Sequence, residues 1–178
     1  AIRDYDKALE QYKLAFNAEK RDDKIYNLIG SVLLYRAEMK LGISERFQKG
    51  IVLSEITLDK IDEEERLNIQ NDIKQAYEWL NLAIKQVNPI INAYYNYSKA
   101  CIYDSLFLGG GSQKMSEADK YLNTVEIIWN MNDSQKPKGY LYTRRNYWEA
   151  NKEYDKALEI NQVIMKVDNS GDAKTAER

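Results

Sequence analysis

The sequence predicts an all-α protein, an α-solenoid of stacked antiparallel helical hairpins with about eight helices. Three observations predict it. Apolar residues recur at intervals of three and four along nearly the whole chain, the period of one face of a helix. With 2 Pro and 8 Gly in 178 residues, there is too little turn chemistry for a many-stranded β protein. The hexapeptide Tyr5-Asp6-Lys7-Ala8-Leu9-Glu10 also returns unchanged as Tyr154-Asp155-Lys156-Ala157-Leu158-Glu159, a mark of internal repetition.

The elements follow in order. Asp4 is the expected N-cap of a first helix that carries Tyr5, Ala8, Leu9, Tyr12, Ala15 and Phe16 on one stripe and ends in the polar run from Glu19 to Asp23. A second runs from about Lys24 to Leu41 through Tyr26, Ile29, Val32, Leu33 and Ala37, and stops at Gly42. Ser44 opens a third with Phe47, Ile51, Ile56 and Leu58, the weakest of the set because Ile51, Val52, Ile56 and Thr57 are β-branched. The run Asp62-Glu63-Glu64-Glu65 reads as a helix start, where carboxylates meet unpaired amides and the positive end of the dipole. That helix continues through Leu67, Ile73, Ala76, Leu80 and Ala83 towards Asn88-Pro89, where Pro89 disfavours helical backbone.

Beyond Pro89 a helix is expected from Ile90 to about Leu108, broken by Gly109-Gly110-Gly111. The next starts at Ser116, carries Leu122, Val125, Ile128 and Trp129, and fades at Asn130 to Asp133. Pro137 introduces another with Leu141, Tyr147 and Trp148, and a last one holds Tyr154, Ala157, Leu158, Ile160 and Ile164. Residues 1–168 form one helical domain, and residues 169–178 are a polar tail expected to fray.

Composition excludes several functions. The charges, 26 Lys+Arg against 28 Asp+Glu, are mixed along the chain, which argues against a dedicated nucleic-acid binder. Without His, a Ser-His-Asp or Cys-His arrangement is impossible. Cys101, the single cysteine, sits in an apolar helical stretch and reads as a small buried hydrophobe. Gly109-Gly110-Gly111 lacks the Lys-Ser/Thr of a phosphate loop and reads as a connector. No cofactor and no metal are expected. Lys136, Lys138, Arg144 and Arg145 interleave with Tyr140, Tyr142, Tyr147 and Trp148. That pattern could stack single-stranded nucleic acid, but a solvated face over buried aromatics is the simpler reading. No run of 18 apolar residues spans a bilayer. Ala1-Ile2-Arg3-Asp4 is no signal peptide, so cytoplasmic and extracytoplasmic (periplasmic or lipoprotein) locations both stay open.

The repeat has a recognisable grammar. Ala8-x3-Tyr12-x2-Ala15 fits the closing helix of a helical pair, and Tyr26-x2-Ile29-Gly30-x2-Leu33 fits the opening helix of the next. Ala76-x3-Leu80-x2-Ala83 and Ala118-x3-Leu122-x2-Val125 repeat the closing pattern. In this the chain resembles the tetratricopeptide-repeat family. Its register is lost between Ala37 and Ala76, and the two hexapeptides are not a multiple of the family's period of about 34 residues apart. The chain opens in mid-repeat, which suggests a piece of a longer array.

The resemblance implies a concave groove made by the opening helices, for a peptide or a partner helix. Carried over by position, the groove would be lined by Lys24, Asn27, Ser31, Leu34, Tyr95, Lys99, Ile102, Tyr142 and Asn146. The expected function is therefore a non-enzymatic protein-interaction module with a protein or peptide partner. A homodimer would follow if a second copy capped an uncovered terminal helix. Two other readings stay open: a regulatory or sensory segment of a bacterial signalling protein binding a small ligand among Tyr94, Tyr95, Tyr97 and Tyr103, and an RNA-binding helical repeat.

Overall fold

The protein is described here by a computed structural model covering residues 2–18, 23–130 and 136–176. Among these residues there are eight α-helices and no strand: α1 (Ile2–Asn17), α2 (Asp23–Leu41), α3 (Ile43–Gln48), α4 (Glu63–Ile84), α5 (Ile91–Phe107), α6 (Gly111–Trp129), α7 (Lys138–Ala150) and α8 (Tyr154–Ala176). One 3-10 turn lies at Leu53–Glu55. The all-α expectation holds, with the helices packed in neighbouring pairs.

Local chemistry sets most of the boundaries. Asp62 caps α4 as its charge run predicts, its Oδ1 accepting the Glu65 N–H at 3.0 Å. Gly42 ends α2 with φ +60°, a conformation that other residues adopt at a cost. Pro137 occupies the N-cap of α7. Asp4 is not the cap of α1 but lies within its first turn, where a carboxylate still faces the amide end. Helix α6 starts at Gly111, earlier than Ser116, and α8 continues to Ala176 through the stretch expected to fray. The predicted breaks at residues 19–22 and 131–133 lie outside the described residues.

The third helix is the main correction. Residues 44–58 are not one helix: α3 spans six residues and buries none of them, and the chain then turns at Gly50 (φ +73°) into extended and 3-10 backbone. The β-branched residues resist a helical continuation. Docking against other helices, rather than a helical stripe, buries Leu53, Ile56 and Leu58.

Residue pairings define a two-layer stack. Helices α2 and α4 run antiparallel, with Tyr26 beside Trp79 and Arg36 beside Asp72. So do α5 and α6, through Tyr94–Tyr121 and Tyr97–Glu117, and α7 and α8, through Arg145–Asn161 and Lys138–Asp168. In one layer α2, α5 and α7 lie side by side and parallel. Asn27 meets Asn96 and Glu38 meets Tyr103, while Gly139 brings the α7 backbone against the Tyr95 ring. Helix α1 packs antiparallel on α2 through Tyr5–Tyr35 and Phe16–Tyr26.

Small residues at the predicted spacings permit these approaches. A Cβ on Gly30 would fall 2.4 Å from Leu80 Cγ, so α2 touches α4 where only a glycine fits. Ala76, Ala83 and Ala118 have no exposed surface. Around them Ile29, Leu33, Ile69, Ile73 and Leu80 are fully buried, each contributing about 1.5–3 kcal/mol. A charged tie reinforces the seam. Asp72, buried on α4, accepts from Arg36 Nη2 at 2.5 Å and Nε at 3.0 Å and from Lys40 Nζ at 2.9 Å, and Arg36 Nη1 reaches Asp6 of α1 at 2.7 Å. No helix among the described residues is long and apolar enough to cross a membrane.

Candidate functional site

The parallel layer of α2, α5 and α7 carries a polar seam across three helices. It begins with Asn96 Nδ2 donating to Asn27 Oδ1 at 3.0 Å. Ser31 turns its hydroxyl back to the Leu28 carbonyl of its own helix at 3.0 Å. Further along, Lys99 Nζ lies 3.0 Å from Glu38 Oε1 and 5.2 Å from the centre of the Tyr35 ring. The Tyr103 hydroxyl donates to the same Glu38 at 2.6 Å. Burial, and then the Glu38 carboxylate, hold that hydroxyl well above the usual tyrosine range.

The seam ends on α7. Arg145 is 6% exposed, and its guanidinium carbon sits 4.0 Å from the centre of the Phe47 ring. Its Nε lies 3.4 Å from Glu149 Oε1, while its Nη2 donates to Asn146 Oδ1 at 3.1 Å. Burial lowers the pKa of this guanidinium, with Glu149 opposing the shift. Over these groups lies the connection between α2 and α4. The Leu53 backbone N–H donates to Glu149 Oε2 at 3.1 Å, and Ile43, Phe47, Ile51 and Ile56 line a small pocket together with Arg145, Asn146 and Glu149. A stretch of the chain's own backbone thus occupies one end of the wall.

The nine groove residues fall into three groups. Asn27, Ser31, Lys99 and Asn146 are on the seam, brought together as polar groups but mostly buried. Leu34 and Ile102 are corrected to core residues, 1% and 0% exposed, with no surface to offer a partner. Their helices sit too close together for those positions to face an open hollow. Tyr95 is buried against Gly139 of α7, and burial pushes its hydroxyl up to about 12. Tyr142 is half-buried beside Arg145, and Lys24 is exposed at the start of α2. The positional carry-over missed Tyr35, Glu38, Asn96, Arg145 and Glu149. The spacing of Ser31, Tyr35 and Glu38 puts all three on one face of α2, a signal that was present; nothing local marks Glu149.

Other candidate chemistry is consumed by structure. Tyr94 stacks on Tyr121 with centroids 5.9 Å apart, and the Tyr97 hydroxyl donates to Glu117 at 2.5 Å and lies in hydrogen-bond contact with the Tyr77 hydroxyl at 2.9 Å. These rings pack against one another. Burial pushes the Cys101 thiol far up, so it stays protonated. In the basic stretch Arg144 is buried and bound to Asp119 at 2.8 Å and Asn123 at 2.7 Å, pinning α7 to α6. Lys136 faces Glu126 and Lys138 pairs with Asp168. The cluster is neutralised by nearby carboxylates.

No family model, no curated protein and no solved structure matches the chain.

Proposed function

We propose that the chain is a non-enzymatic protein-interaction module of tetratricopeptide-repeat type, whose working face is the wall formed by α2, α5 and α7. The observation that carries this reading is the segment at residues 43–58. The wall already holds a piece of polypeptide, gripped by a carboxylate on a backbone N–H (Leu53 to Glu149) and by a guanidinium over an aromatic ring (Arg145 on Phe47). Those are the contacts by which a preformed groove takes a peptide: backbone hydrogen bonds for affinity and side-chain pockets for specificity. The rest of the wall offers Lys24, Tyr35 and Tyr142 at its surface. The carboxylates least open to water are paired, the buried Asp72 with Arg36 and Lys40, the buried Glu149 with Arg145 and the half-buried Glu38 with Lys99.

A panel of immobilised peptides, probed with the wild type and with the double variant Tyr35→Ala, Tyr142→Ala, tests the reading. Peptides retained by the wild type and lost by the variant, with unchanged circular dichroism, are the expected result. Retention of no peptide, or equal retention by both proteins, refutes it.

A further inference from the structure

The same six residues occur in two helices with opposite packing. In α1 the hexapeptide at 5–10 is pressed against α2. Tyr5 stacks on Tyr35 with centroids 6.2 Å apart, Asp6 binds Arg36 at 2.7 Å, and Leu9 is 6% exposed. Further along α1, Phe16 packs edge-on to Trp79 at 5.1 Å and beside Tyr26 of α2 at 5.8 Å. In α8, among the described residues, no α-helix covers that side of the hexapeptide at 154–159; the Ser54 hydroxyl of the 3-10 turn reaches it, 3.3 Å from the Tyr154 hydroxyl. Tyr154 is 46% exposed, Leu158 57% and Met165, which stands where α1 has Phe16, 64%. Asp155 is exposed and pairs with no cation among the described residues.

The other side of α8 is satisfied. Ala157 and Ile164 are 4% and 6% exposed on the side towards α7. In α1 the α2 side is packed, and Ala8 and Ala15, which match Ala157 and Ile164, are part-buried against the core, while Leu14, which matches Val163, is 55% exposed. The tyrosine–leucine flank that α1 presses against α2 is thus the one that α8 leaves exposed. Burying apolar surface gains about 25 cal/mol for each Å² taken from water, so the bare apolar flank of α8 is a surface with a partner to find.

From this we infer that the Tyr154–Asp155–Leu158–Met165 face of α8 is a docking site for an amphipathic partner helix built like α2, presenting an aromatic residue and an arginine side by side, as Tyr35 and Arg36 do, with the arginine set against Asp155. A second copy of the chain is a poorer occupant, since the Arg36 of its α2 is already held by Asp6 of α1 and Asp72 of α4. The inference stands apart from the wall of α2, α5 and α7, and either can fail without the other.

The test uses a labelled peptide of residues 24–41, held helical by a staple on its outward face, titrated into the whole protein and followed by fluorescence anisotropy. Saturable binding is expected. Leu158→Asp and Asp155→Arg should each weaken it about tenfold or more, and a peptide carrying Arg36→Asp should recover its affinity for the Asp155→Arg protein. Both changes lie at exposed positions, and unchanged thermal melts would certify the fold. Absence of saturable binding, or unaltered affinity in both variants, overturns the inference. So does a sedimentation experiment in which Leu158→Asp abolishes a dimer of the free protein, because the face would then belong to a second copy.

Discussion

At the scale of single residues, the fold depends on where side chains are small. Gly30 is held against Leu80 so closely that one added methyl would collide with the leucine's branch point. Gly30→Ala should therefore cost about 1–3 kcal/mol despite its better helix propensity, because over-packing outweighs the backbone gain. Urea melts of the two proteins measure this, and a more stable alanine variant would show that the α2–α4 seam yields easily. This contact was legible in the sequence, since glycine and alanine at fixed spacings report close approach directly. The charged partners were not. Glu38, Asp72 and Glu149 look like any other acidic residue in a chain with 30% charged residues. Only the tertiary placement of Lys99, Arg36 and Arg145 singles them out.

At the scale of elements, the α2–α4 connection is where sequence reasoning and structure part. Residues 51–58 contain enough apolar side chains to suggest a helix, yet half of them are β-branched, they follow a glycine in left-handed backbone, and they bury themselves by lying on a neighbour. Periodicity registers a helix that hides one of its own stripes; it is silent about a strap buried by docking. The neighbouring helices were legible because each carries its own stripe, and most boundaries came from identifiable stop residues such as Gly42 and Pro137. If Glu149 anchors the strap, Glu149→Ala should speed hydrogen exchange at the Leu53 amide and its neighbours while leaving the central amides of α4 and α5 protected. Uniform acceleration across all helices would mean that Glu149 supports the stack as a whole and does not hold the strap in particular.

At the scale of the whole molecule, tyrosine burial ties stability to alkaline pH. Burial pushes the Tyr95 hydroxyl up to about 12, and burial with the nearby Glu117 and Glu38 carboxylates raises Tyr97 and Tyr103 as well. In the unfolded chain tyrosines ionise near about 10. From there upward the unfolded state binds fewer protons than the folded one, so stability falls as pH rises. The contribution is fully present below about 10 and lost as the pH climbs through about 12 and beyond. Denaturant melts in this range, read alongside tyrosinate absorbance, should show a declining midpoint and a set of hydroxyls that ionise only as the protein unfolds. A midpoint independent of pH would contradict the burial of these rings.

The whole-molecule architecture was legible as stacked helical pairs. The intimacy of the parallel layer was not, because no sequence period records how near two non-consecutive helices come.

The Asp6–Arg36–Asp72 tie has a consequence for how the molecule comes apart. In a row of units that each lean on the next, the outermost helix would ordinarily be the first to peel away. Here one guanidinium holds carboxylates from α1 and α4 at once, so releasing α1 strips a counter-charge from a cation that the α2–α4 pair also uses. Helices α1, α2 and α4 are thereby fused into a single cooperative unit, and melting should enter the stack from the α8 end.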